Sequence, residues 1–122
     1  MHLKHLTPML YTTDLEGTLA FYRDVLGFKA DTYSADWGWL HINKDGVKLM
    51  FCLPNQHIPF EKPVCTGSFY FYTDEVEELW DALKHSPNIF YALEDFDYGM
   101  REFAIKDNNG YILQFGRELT TR

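Results

Sequence analysis

Asp14-Leu15-Glu16-Gly17-Thr18-Leu19-Ala20-Phe21-Tyr22-Arg23-Asp24-Val25-Leu26-Gly27 is the stretch whose pattern sets the architecture. Leu15, Leu19, Phe21, Tyr22, Val25 and Leu26 recur at helical spacing. Asp14 offers a carboxylate to cap the first turn, and Gly27 supplies a stop. The pattern predicts a helix over 14–26. Before it, residues 6–12 alternate, with Leu6, Pro8 and Leu10 on one side and Thr7, Met9 and Tyr11 on the other, which is the period of a strand. After it come three short β-like stretches at 28–34, 37–43 and 47–53, the last two joined by the tight-turn dipeptide Asp45-Gly46. The order is strand, helix, three strands.

The second half repeats this order. Residues 68–73 read as a strand, and Asp74 stands where a cap belongs before a helix over 74–84 carrying Val76, Leu79, Trp80 and Leu83. Further strands are predicted at 89–93, 101–105 and 111–115, with Asp107-Asn108-Asn109-Gly110 as the counterpart of Asp45-Gly46. Between the halves, Asn55, Gln56, Pro59 and Pro63 break any regular pattern. The expectation is a single α+β domain spanning 1–122, with one βαβββ module over about 5–53, a connector over 54–65, and a second module over 66–117. Each helix covers one face of its own sheet, so the curved mixed sheets are expected to enclose a shared cavity.

Composition narrows the function classes. Hydrophobic residues make up 46% of the chain and aromatics 17%, far from the composition of a disordered segment. Eleven Lys and Arg against eighteen Asp and Glu leave a formal charge of −7, with no basic stripe, so nucleic acid and anionic membrane are poor partners. No run approaches the roughly 20 apolar residues that cross a bilayer. Cys52 and Cys65 lack a CxxC spacing and read as reduced thiols of a cytoplasmic protein. No Gly-rich phosphate loop or nucleophile elbow is present.

Three segments at these offsets resemble the glyoxalase, bleomycin-resistance and dioxygenase superfamily, also called vicinal oxygen chelate. They are Thr13-Asp14-Leu15 with Phe21 through Phe28, Tyr98-Gly99-Met100-Arg101-Glu102-Phe103, and Asp107 through Tyr111 with Leu113-Gln114-Phe115. The resemblance implies four metal-ligand positions, on the first and last strand of each module, and these fall at Thr7, Leu49, Ser68 and Gln114. Only Gln114 is a plausible ligand, whereas a zinc-type ion needs three or more protein donors. His5, two residues before Thr7 on the same strand face, adds one candidate and still leaves too few. The expectation is therefore no metal, no cofactor and no catalytic residue, as in the bleomycin-resistance-like members that the chain most resembles.

With Thr7 facing inward, alternation brings Met9 and Tyr11 with it; Leu49 brings Val47 and Phe51, Ser68 brings Tyr70 and Tyr72, and Gln114 brings Ile112. Cys52 is then expected on the helix side. Trp37 and Trp39 share a face, which is assigned to the cavity, and His41 alternates with them. On 101–105, Arg101, Phe103 and Ile105 share one face and Glu102 and Ala104 the other; Phe103 is assigned to the site, with the Glu102 and Ala104 face left as the open alternative. The expected ligand contacts are Tyr11, Trp39, Phe51, Tyr70, Phe103 and Gln114, with Glu94 and Asp95 of an acidic loop at the rim drawing in a cation. The function expected is binding or sequestration of a small cationic or aromatic compound by a homodimer. The alternative is an enzyme: a metal-dependent lyase or dioxygenase of the same superfamily, or a metal-free relative using Tyr or Glu as acid or base.

Overall fold

The computed structural model describes residues 1–55 and 60–120; Gln56, His57 and Pro59 of the connector lie outside the described residues. Two compact units divide the chain, one ending at Pro63 and the other beginning at Val64.

The first unit runs β1 (Met9–Tyr11), α1 (Leu15–Leu26), β2 (Lys29–Ser34), β3 (Trp39–Lys44) and β4 (Val47–Cys52). Its sheet has the order β1-β4-β3-β2, with β1 parallel to β4 and the other pairs antiparallel. Helix α1 starts where the sequence predicts, because the Asp14 carboxylate accepts the Gly17 N–H at 2.8 Å. It ends in a left-handed Gly27 (φ 78°), and the Phe28 N–H reaches the Tyr22 carbonyl at 2.9 Å. Asp45 and Gly46 both take positive φ, 54° and 83°, as a two-residue hairpin turn between β3 and β4 requires.

The second unit repeats the order with β5 (Phe69–Tyr72), α2 (Val76–Leu83), β6 (Ile89–Phe96), β7 (Met100–Lys106) and β8 (Ile112–Glu118). Its sheet is β5-β8-β7-β6, again with the outer pair β5 and β8 parallel. Helix α2 begins one residue later than Asp74 would set it: Glu75 is the cap residue without a side-chain capping bond, and the Thr73 hydroxyl accepts the Glu75 N–H at 3.2 Å.

Two face assignments differ from the sequence expectation. In β4, Leu49 and Phe51 are buried on the α1 side, Phe51 with its ring 5.2 Å from Tyr22, while Lys48, Met50 and Cys52 take the opposite face. The reason is hydrophobic: fully burying a Phe is worth about 1.5–3 kcal/mol, so the more apolar set of a strand turns under the helix. In β7, Phe103 packs against Trp80 of α2 at 5.3 Å and against Phe115 at 5.6 Å, which leaves Glu102 and Ala104 on the face away from the helix. A third difference concerns length. Strand β6 continues to Phe96, so Glu94 and Asp95 are not loop residues but pair across the ladder with Glu102 and Arg101.

Candidate binding site

In the second unit, the sheet face away from α2 gathers a buried carboxylate, two phenols, an amide and a hydroxyl. Glu102 sits in the middle of β7 and is fully buried. Tyr70, projecting from β5, donates its hydroxyl to Glu102 Oε1 at 2.9 Å. The hydroxyl of Tyr91, from β6, donates to Glu102 Oε2. Gln114 on β8 donates its Nε2 to the Tyr91 oxygen at 2.8 Å and to Glu102 Oε2 at 3.3 Å, and its Oε1 accepts the Ser68 hydroxyl. Four strands thus contribute to one connected network, and among the described residues none of the groups bonded to Glu102 is a cation.

The register explains how Tyr70 reaches across. Gly116 lies opposite Tyr72 on β5 and opposite Glu102 on β7, and a Cβ there would collide with the Tyr70 hydroxyl and stand 2.8 Å from its Cζ. The missing side chain is the slot through which the Tyr70 ring passes to Glu102. Burial, then the hydrogen bond to Glu102, pushes the Tyr70 phenol upward. Tyr91 is pushed up to about 12, chiefly by burial, with Glu102 adding and the Gln114 N–H opposing. Both phenols therefore stay protonated at neutral pH and act as donors. Aromatic rings continue from them: Tyr72 is 4.9 Å from Tyr70, Phe96 is 5.8 Å from Tyr91, and Tyr98 stacks on Phe96 at 5.4 Å.

In the first unit, the face away from α1 carries Tyr11, Trp39, His41, Met9, Met50 and Cys52. An open groove of about 550 Å³ is lined there by Met9, Thr32, Ser34, Trp37, Trp39 and Cys52. Both tryptophans share this groove, as their spacing predicts, although Trp37 belongs to the turn before β3. Cys52 lines it too, contrary to the expected helix-side placement, and burial pushes its thiol upward, away from nucleophilic character.

Of the residues expected to contact a ligand, Tyr11 and Trp39 share a face in the first unit, and Tyr70 and Gln114 are joined through the network in the second. Phe51 and Phe103 are instead core residues beneath the helices. Asp95 is held by Arg101, Nε to Oδ1 at 2.6 Å, so its charge is already answered and the Arg101 guanidinium holds its carboxyl low. Glu94 is exposed and stands opposite Glu102. Sequence reasoning left Glu102 on the alternative face of its strand and missed Tyr91. The signal was a lone carboxylate directly before the apolar run Phe103-Ala104-Ile105, whose alternation fits either face.

The family model described as "Glyoxalase/Bleomycin resistance protein/Dioxygenase superfamily" matches residues 2–115. The chain belongs to this superfamily. No curated protein matches the sequence. Among solved structures, a lactoylglutathione lyase from Agrobacterium tumefaciens is 24% identical, with TM-score 0.74, covering 93% of this chain and 92% of that one. A bleomycin-binding protein in complex with bleomycin is 24% identical, TM-score 0.72, with 95% and 99% covered. TioX from a Micromonospora species is 18% identical, TM-score 0.75, with 95% and 99% covered. At these identities the neighbours establish the shared fold.

Of the four positions that the superfamily resemblance assigns to metal ligands, Leu49, Ser68 and Gln114 can be placed by their burial or their partners. Leu49 is withdrawn beneath α1, and its neighbour Met50 occupies the opposite face. Ser68 and Gln114 are bonded to each other, so the Gln114 oxygen that would ligate an ion is already engaged. Among the described residues, no three His, Cys, Asp or Glu side chains cluster as a metal site, and no helix is long and apolar enough to cross a membrane.

Proposed function

We propose that the protein is a small-molecule binding protein of the glyoxalase and bleomycin-resistance type, working as a homodimer without a divalent ion at the superfamily positions. Its ligand is a compound with a cationic group and an apolar or aromatic body. The observation that carries this is the Glu102 network. A buried carboxylate that, among the described residues, is answered by neutral donors alone, with Tyr72, Phe96 and Tyr98 extending the aromatic surround, is a source of negative potential open to a counter-charge. Aromatic faces and a carboxylate together favour an organic cation over a neutral molecule. The Gln114 oxygen, engaged by the Ser68 hydroxyl, supports the metal-free part of the reading.

Calorimetric titration with bleomycin and with an aromatic trimethylammonium salt, each against a neutral isostere, tests this. The cationic probes bind and the neutral ones do not. Glu102→Gln weakens binding by about 1.5–3 kcal/mol, the scale of a hydrogen-bonded charge. Equal binding of the neutral isosteres would remove the role given to Glu102. The alternative, a metal-dependent lyase or dioxygenase, gains the upper hand if protein purified without chelator carries a stoichiometric divalent ion.

A further inference from the structure

Away from the Glu102 network, the first unit holds a row of soft donors. Register pairs Met9 on β1 with Met50 on β4, and Met50 with His41 on β3, so three side chains capable of ligation stand side by side across three strands on the face away from α1. Opposite residues of an antiparallel pair, such as Met50 and His41, have Cβ atoms about 4.5–5.5 Å apart, the parallel strand carrying Met9 lies one strand spacing of about 4.8 Å away, and each Met adds three rotatable bonds, so two thioethers and an imidazole nitrogen can converge on one point. Among the described residues, His41 Nε2 is buried and has no hydrogen-bond partner. Buried polar atoms are nearly always paired, so this orphan calls for a bound species. Trp39 completes the surround: its ring lies 5.9 Å from the His41 ring and its indole N–H points at Met50 Sδ, 3.3 Å away.

We propose that Met9, Met50 and His41 form a binding site for a soft monovalent d¹⁰ cation, copper(I), with Trp39 flanking the ion. Thioethers select soft ions, and the row offers no carboxylate and no second imidazole for zinc or a harder ion. Lys48, two residues before Met50 on the same face, repels a dication more strongly than a monocation. Methionine binds without losing a proton, so the site does not depend on forming a thiolate. Trp39, with its N–H edge at Met50 Sδ and its ring beside His41, lies close enough for a bound ion to quench its emission. Cys52, opposite Trp39, lies one pair further along the same face and is a neighbour of the site, not a required ligand.

The test is an anaerobic titration of the Cys65→Ser protein, which removes the exposed thiol. Silver(I) serves as a redox-silent probe and copper(I) is delivered from bicinchoninate, with tryptophan emission and bound metal per chain as readouts. One equivalent of either ion binds and quenches emission. Met50→Leu and His41→Leu each weaken binding by about tenfold or more with unchanged melting curves. Trp39→Phe retains the ion and loses most of the quenching, and Cys52→Ala retains binding. Binding that survives both Met50→Leu and His41→Leu overturns the proposal, as does binding abolished by Cys52→Ala alone, which would reveal an ordinary thiol. Equal affinity for zinc(II) would overturn it as well.

Discussion

Glu77 is the one acidic residue of α2 that reaches back to its sheet. It receives Arg101 from β7 at 2.8 Å and Arg117 from β8 at 2.5 Å, while Arg101 turns its other edge to Asp95. The hydrogen bonds from Arg117 and Arg101, in that order, hold the Glu77 carboxyl low, at about 2 against the ordinary 4.5. Its position in the first turn of α2 adds a favourable contact with the helix dipole. The side chain is about one-third exposed, so solvent screens much of this. A networked surface pair is worth about 1 kcal/mol, and that is the destabilisation expected for Glu77→Gln at neutral pH. A folded pKa below the unfolded one contributes stability that is present above pH 4.5 and lost as pH falls toward 2. The gap between wild-type and Glu77→Gln unfolding free energies in urea should therefore close across that window. A gap that stays constant down to pH 2 would assign the loss to packing instead of charge.

Strand β8 shows how one element couples fold to site. Its odd-numbered residues Leu113 and Phe115 face the core and its even-numbered Gln114 and Gly116 face the network. At Gly116 any side chain meets the Tyr70 ring and comes within 3.1 Å of Glu102 Cβ. Gly116→Ala should cost about 1–3 kcal/mol as an overpacked site and should displace Tyr70 from Glu102. In an ultraviolet phenolate titration, one tyrosine would then titrate closer to its ordinary value. An unchanged titration would mean that Tyr70 has another route to Glu102. The same strand-level logic explains what the sequence could reveal. Helix α1 was legible because cap, apolar period and stop all agree over 14–27, and the repeat made the second unit legible by analogy. Alternation left the faces of β4 and β7 unsettled, since it separates Leu49 and Phe51 from Lys48 and Met50, and Phe103 and Ile105 from Glu102 and Ala104, without saying which set turns under the helix. The helix settles the choice by burying the larger apolar set, Phe51 and Phe103. The site inverted with them: Glu102, Met50 and Cys52 lie on the faces away from the helices, and Glu94 and Asp95, expected at a loop, lie in β6, where Asp95 is bonded to Arg101.

At the scale of the whole molecule, charge and exposed apolar surface pull in opposite directions. The chain carries a formal charge of −7, so two copies repel at low ionic strength. Yet Leu6 at 87% and Trp37 at 86% in the first unit, and Tyr72 at 77% in the second, each leave a large apolar group in water, the kind of group that the proposed homodimer would cover. Strand β2, at the edge of the first sheet, presents Lys29 and Asp31, and charged edges discourage strand-to-strand pairing. Self-association should then run through exposed side chains, with burial driving it and charge opposing it. Salt screens the opposing term within about 8 Å at 0.15 M, so the dimer should tighten as salt rises, the reverse of a charge-paired interface. Sedimentation equilibrium at low and at physiological salt measures this. Trp37→Ser should weaken the dimer by about 2 kcal/mol, or roughly thirtyfold, if that indole is an anchor of the interface. Monomers at tens of micromolar at every salt concentration would refute the homodimer, and a dimer that loosens with salt would replace apolar burial by ion pairing as its cause.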